Sequence, residues 1–142
     1  MQQQQQQHSF SLMLATPLKD FTGRLSCTYD RPFRLCGCWE AALISFTHTR
    51  KPAYILCDLL EYTEVNNHKV QLLDYFYSEW GIKTNGRTQY VKVSNKRFST
   101  INIDIKWRLN EDIELANLKN KLFEHEDPNN EIACLIHFRR IG

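Results

Sequence analysis

Phe98-Ser99-Thr100-Ile101-Asn102-Ile103-Asp104-Ile105-Lys106-Trp107 is the stretch that decides how this chain folds. From Ile101 to Trp107 every odd position is apolar and every even position polar, the period of a strand with one dry and one wet face. The alternation returns at 20–29, where Phe21, Leu25, Cys27 and Tyr29 share a face. It returns again at 132–138, where Ile132, Cys134, Ile136 and Phe138 do the same. Segments of this kind build antiparallel sheets over a common core.

The same reading predicts eight strands, over 9–14, 20–29, 39–48, 53–61, 70–77, 88–93, 98–107 and 132–140. Asp30-Arg31-Pro32 is expected to close the second, and Asn66-Asn67-His68 to make a turn, because asparagine tolerates positive φ. The fourth is apolar on both faces, as a well-covered central strand would be. Leu115, Leu118 and Leu122 stand at helical spacing, so one short helix is expected over 111–125, capped by Asn110 and stopped before Pro128. The fold class is therefore all-β, an eight-stranded antiparallel β-sandwich with one inserted helix. Jelly-roll and immunoglobulin-like topologies both suit that strand count. Residues 1–8 read as a disordered glutamine-rich arm and residues 9–142 as one sandwich domain.

At 142 residues, with 42% hydrophobic and 24% charged positions, the chain can bury a core without staples. A formal charge of +2 makes no electrostatic case for nucleic acid, and Arg50-Lys51, Lys96-Arg97 and Arg139-Arg140 read as solvated strand ends. No run reaches the roughly 20 apolar residues that span a bilayer, and the start has no signal-peptide pattern, so a protein that is not secreted is expected. Five cysteines at irregular spacing then read as reduced thiols.

Catalytic patterns are weak. Cys36-Gly37-Cys38 has no second ligand pair for zinc, and His48, Cys57, His125, Cys134 and His137 could meet only by folding. Cys57 sits within the most apolar strand, where a thiol stays protonated. Asp58 with Glu61, and Glu111 with Asp112 and Glu114, lack a sugar platform for glycoside chemistry. The five glycines form no phosphate loop. The expectation is a protein that is not an enzyme, with no catalytic residues, cofactor or metal.

Five blocks carry a family resemblance. Phe33-Arg34-Leu35-Cys36-Gly37-Cys38-Trp39-Glu40-Ala41-Ala42-Leu43 is similar to "i-x-L-x-G-x-W-E-V-G-L". Tyr54-Ile55-Leu56-Cys57-Asp58-Leu59-Leu60-Glu61 is similar to "Y-I-Y-C-D-L-V-E". Gln71-Leu72-Leu73 follows a short turn, and Tyr90-Val91-Lys92-Val93 precedes the alternating stretch. Leu135-Ile136-His137-Phe138-Arg139-Arg140 is similar to a C-terminal "L-H-F-R-R". In this order they resemble proteins encoded by Polinton/Maverick-type transposons and related adintovirus-like elements. The chain departs from that pattern in a shorter connection between the first two blocks, in Asn66-Asn67 where Gly-Asp is usual, and in a longer helical insert.

The resemblance implies a virion-associated structural protein, a penton-like or minor capsid building block with a single jelly roll. Its partners would be further copies of itself, with a pentamer favoured, and other capsid proteins. Its location would be the virion, reached through assembly in the host nucleus or cytoplasm. An attachment or fibre-like module recognising a protein or glycan is the alternative. Tyr75, Phe76, Tyr77 and Trp80 are the expected assembly surface. Trp39 is expected to fill the core and Glu40 to pair with an arginine such as Arg34. Asp58, placed in an apolar strand, is a structural candidate that needs a donor if buried, Arg139 or His137.

Overall fold

The computed structural model describes residues 8–47, 51–76, 78–79, 82–83 and 88–141. The glutamine tract 2–7 lies outside them, as do His48, Tyr77, Trp80 and the Asn85-Gly86 connection. The chain runs β1 (Ser9–Pro17), a 3-10 turn (Leu18–Asp20), β2 (Arg24–Arg34), β3 (Cys38–Phe46) and β4 (Ala53–Cys57). It continues through β5 (Thr63–Val65), β6 (His68–Val70), β7 (Leu72–Phe76), β8 (Ser78–Glu79), β9 (Ile82–Lys83) and β10 (Val91–Lys92). It ends with β11 (Arg97–Lys106), helix α1 (Leu115–Phe123) and β12 (Glu131–Ile141). Among the described residues the protein is all-β and antiparallel with one α-helix. Two four-stranded sheets, in the orders β1-β12-β3-β10 and β2-β11-β4-β7, are accompanied by two short hairpins, β5-β6 and β8-β9. The strands among the described residues thus exceed the expected eight, because the connections 63–70 and 78–83 pair with themselves.

The alternating stretches form the centre of each sheet. Ile101, Ile103 and Ile105 of β11 and Ile132, Cys134, Ile136 and Phe138 of β12 all point into one core. Four phenylalanines close it at one end. Phe10 and Phe138 come from one sheet, Phe33 and Phe98 from the other, with adjacent ring centroids 4.9–6.4 Å apart. Trp39 is buried beside Phe10 and donates its indole N–H to the Cys36 carbonyl at 2.9 Å.

Three irregularities separate the structure from strict alternation. β2 does not stop at Asp30-Arg31-Pro32 but continues to Arg34. Its register against β11 jumps from Thr28↔Thr100 to Phe33↔Phe98, so residues 29–32 face Ser99 alone. Pro32, which has no N–H to give, sits in that bulge, where no ladder bond is needed. In β3 the pairs Leu43↔Ile136 and Ser45↔Leu135 leave Ile44 as an extra residue. That bulge changes the inward set from Trp39, Ala41 and Leu43 to Phe46, leaving Ser45 outside. In β7 Leu73 is extra between Asp74↔Ile55 and Leu72↔Leu56.

β4 is central in its sheet yet buried on one face only. Ala53, Ile55 and Cys57 are buried while Tyr54 and Leu56 on its outer face are half-buried, Tyr54 beside the Tyr75 ring. The helix starts later than its leucine spacing suggests. Asn110 is not its cap; Glu114 precedes the first turn in extended conformation with no side-chain cap bond. Tertiary packing sets the start: Leu118, Leu122 and Phe123 close the open end of the core, with Phe123 edge-on to Phe21 at 5.8 Å. At the β5-β6 turn Asn66 and Asn67 take φ of 49° and 68°, the positive values that a two-residue hairpin turn requires.

Candidate functional site

The two sheets expose different outer faces. On β2-β11 it is a ladder of paired polar side chains. Arg24 binds Asp104 at 2.6 and 3.1 Å, Ser26 donates to Asn102 at 2.7 Å, and Thr28 meets Thr100 at 2.9 Å. Cross-strand pairs of this kind fix register and leave little unsatisfied for a partner.

The outer face of β1-β12-β3 is bare by comparison. Met13 is 62% exposed and lies opposite Leu135, which lies opposite Ser45, next to the exposed Ile44 of the bulge. Ala15 and Ala133 extend this uncharged row. Towards β10 the face turns polar. Arg139 pairs with Glu40 and lies over the Tyr90 ring at 3.5 Å, and the Tyr90 hydroxyl meets His137 Nδ1 at 2.9 Å. The partner of Glu40 is thus Arg139, directly across the ladder, rather than Arg34.

Asp58 differs from expectation. It is exposed, in the turn after β4, and accepts from the Asn102 backbone N–H at 3.1 Å and side-chain amide at 2.9 Å. Neither Arg139 nor His137 reaches it, since both lie on the other sheet. The strand pattern continues to Glu61 in sequence, but the ladder ends at Cys57, so Asp58 leaves the core. Gln71 completes this corner by donating to the Asp58 and Leu60 carbonyls at 3.1 and 2.9 Å.

Of the four expected assembly residues, Tyr77 and Trp80 lie outside the described residues. Phe76 is 2% exposed and packs edge-on against Phe46 at 5.4 Å, so it belongs to the core. Tyr75 is 48% exposed and its ring sits 4.6 Å from that of Tyr54 across the β4-β7 pair.

Tyr75, Tyr54 and Trp107 line a cavity of about 440 Å³. Asn66 and His68 of the β5-β6 hairpin, and Arg108 and Asn110 after β11, supply its polar lining. Three cations surround Trp107: Arg108 5.1 Å, Lys121 5.0 Å and Lys51 6.0 Å from the ring centroid. Sequence reading passed over this group, because Trp107 fits the alternating strand as an ordinary inward position. The adjacent Trp107-Arg108 pair was the available signal. For Met13 the signal was an apolar residue in phase with Ser9 and Ser11.

Among the described residues no three potential metal ligands gather, and no helix is long and apolar enough to cross a membrane. Burial pushes the Cys57 and Cys134 thiols up to about 12, while Cys36 and Cys38 are exposed either side of Gly37. Comparison with protein-family models, curated proteins and solved structures found no match.

Proposed function

We propose that the chain is a single jelly roll serving as a viral or transposon-encoded capsid building block, related to the Polinton/Maverick and adintovirus-like proteins and acting by self-assembly. The order of its strands carries this reading. Numbered one to eight along the chain, the strands of the two large sheets lie in the orders 1-8-3-6 and 2-7-4-5. Strands 1 and 8, 2 and 7, 3 and 6, and 4 and 5 are therefore hydrogen-bonded neighbours. That is the pairing of one long hairpin rolled into a two-sheet sandwich, an architecture that recurs in viral shells. The fold hosts other functions as well, so the assignment also leans on the ordered sequence blocks.

The uncharged row Met13, Leu135 and Ile44 supports assembly, because an apolar surface of a second copy can cover it without desolvating an ion. A closed ring of five uses two different surfaces on each copy, and this row supplies one of them.

Light scattering across a concentration series tests the proposal. Five copies of the 16.8 kDa chain, about 84 kDa, are expected, with Met13→Glu reducing the mass to that of one chain at unchanged melting temperature. A trimer would replace the vertex role with that of a fibre or spike. A wild-type monomer at every concentration would overturn self-assembly.

A further inference from the structure

The cavity between the β5-β6 hairpin, Tyr75 and Trp107 is independent of the assembly row, which lies on the outer face of the other sheet. Both can be occupied at once, and the inference stands whatever the oligomeric state. Three aromatic rings line it, the exposed Tyr75 and the half-buried Tyr54 and Trp107. Flat exposed rings are platforms for the C–H faces of sugars as well as for planar groups. Its lining offers two carboxamides, Asn66 and Asn110, and an imidazole, His68, each able to donate and accept hydrogen bonds with hydroxyls.

Charge narrows the ligand. Lys51, Arg108 and Lys121 come from three separate segments and converge on one indole. Among the described residues the acid within ion-pair reach of these three is Glu111, 4.0 Å from Arg108. Like charges held together repel, and an anion beside Trp107 would relieve that. Arg108 presents a planar fork suited to a carboxylate or sulfate. Of the three, Arg108 lines the cavity itself, which suits one anionic group and not a polyanionic strand. The neighbouring cleft at Thr22, Arg24 and Asp104 shares Arg108 but has none of these aromatic rings, and its Arg24 and Asp104 pair with each other.

The geometry points to a site for an acidic sugar, with the pyranose against the exposed Tyr75 ring, its hydroxyls on Asn66, His68 and Asn110, and its carboxylate or sulfate on Arg108. The full chain would be titrated with 3′-sialyllactose and with a sulfated chondroitin disaccharide, followed by ligand-observed saturation-transfer NMR. Lactose and adenosine monophosphate serve as neutral and nucleotide comparators. Saturable binding of either acidic sugar, at least about tenfold stronger than lactose, is expected; which one binds separates a carboxylate from a sulfate ligand. Arg108→Gln should weaken it roughly tenfold or more, since a charge-assisted pair is lost. Tyr75→Ala should abolish the saturation signal. Both side chains are well exposed, so both variants should fold, Arg108→Gln melting like the wild type and Tyr75→Ala slightly lower for the loss of its ring pair with Tyr54. Absence of acidic-sugar binding, equal binding of lactose, a preference for adenosine monophosphate, or binding indifferent to both substitutions would each overturn the assignment.

Discussion

Phe138→Ala is the most informative test of how the two sheets are held together. The ring is fully buried and stacks on Phe10 at 4.9 Å with 7° between the planes, and on Phe98 of the facing sheet at 6.4 Å. Removing a buried phenylalanine costs about 3–5 kcal/mol, from lost transfer energy and from the cavity left behind. The upper half of that range is expected, because Phe138 sits mid-strand between β1 and β3 and its backbone cannot collapse inward. Domains hold only about 5–15 kcal/mol in total. At roughly 3–4 °C per kcal/mol the melting temperature should fall by about 10–20 °C. Urea unfolding followed by tryptophan fluorescence reads the change directly, since Trp39 packs 5.6 Å from Phe10. A double-mutant cycle with Phe10→Ala isolates the ring pair, with a coupling of about 0.5–1.5 kcal/mol. A loss under about 1 kcal/mol for Phe138→Ala, or a coupling indistinguishable from zero, would refute the four-ring closure of the core.

Asp58→Ala should cost about 1–2 kcal/mol by releasing its two hydrogen bonds from Asn102. Asn102→Ala should add on top of it only what its bond from Ser26 contributes, so two fully additive losses in thermal melts would break the pair apart. The buried Cys57 and Cys134 thiols, raised from 9.0 to about 12, stay protonated in the folded state while the unfolded chain ionises. Their contribution to stability is therefore whole below pH 9 and lost as pH rises from 9 to 12. At pH 8 a thiol reagent should label Cys36 and Cys38 rapidly and these two only on unfolding; fast labelling of Cys57 in the native protein contradicts the packing. Gly37 has φ of 89°, and an added Cβ would lie 3.1 Å from the Arg140 Nε. Gly37→Ala should therefore destabilise by about 1–2 kcal/mol, and a melting temperature at or above wild type would count against that turn.

Much of the architecture was legible along the chain because a strand with one buried face writes its period into the sequence. The stretches around Ile103 and Ile136 became the central strands β11 and β12 with their alternation intact. Local pattern could not place the bulges at Ile44, Leu73 and 29–32. A bulge depends on what the partner strand offers opposite, and one extra residue reverses every face beyond it. That is why Phe46 is core and Ser45 surface, against simple alternation. Asp58 misled for a related reason, since an apolar run does not reveal where the ladder stops.

The strand order and the cavity rest on long-range pairing. Tyr54, His68, Tyr75 and Trp107 are far apart in sequence and meet because β4 pairs with both β7 and β11 while the β5-β6 hairpin folds over that edge. The amino-acid sequence by itself determined the all-β class and the buried faces of the regular strands β11 and β12, because hydrophobic periodicity is a local property. Only the tertiary structure decided which strands are neighbours, which aromatic rings stay exposed and where three cations converge, because those follow from contacts between segments that carry no local signal of one another.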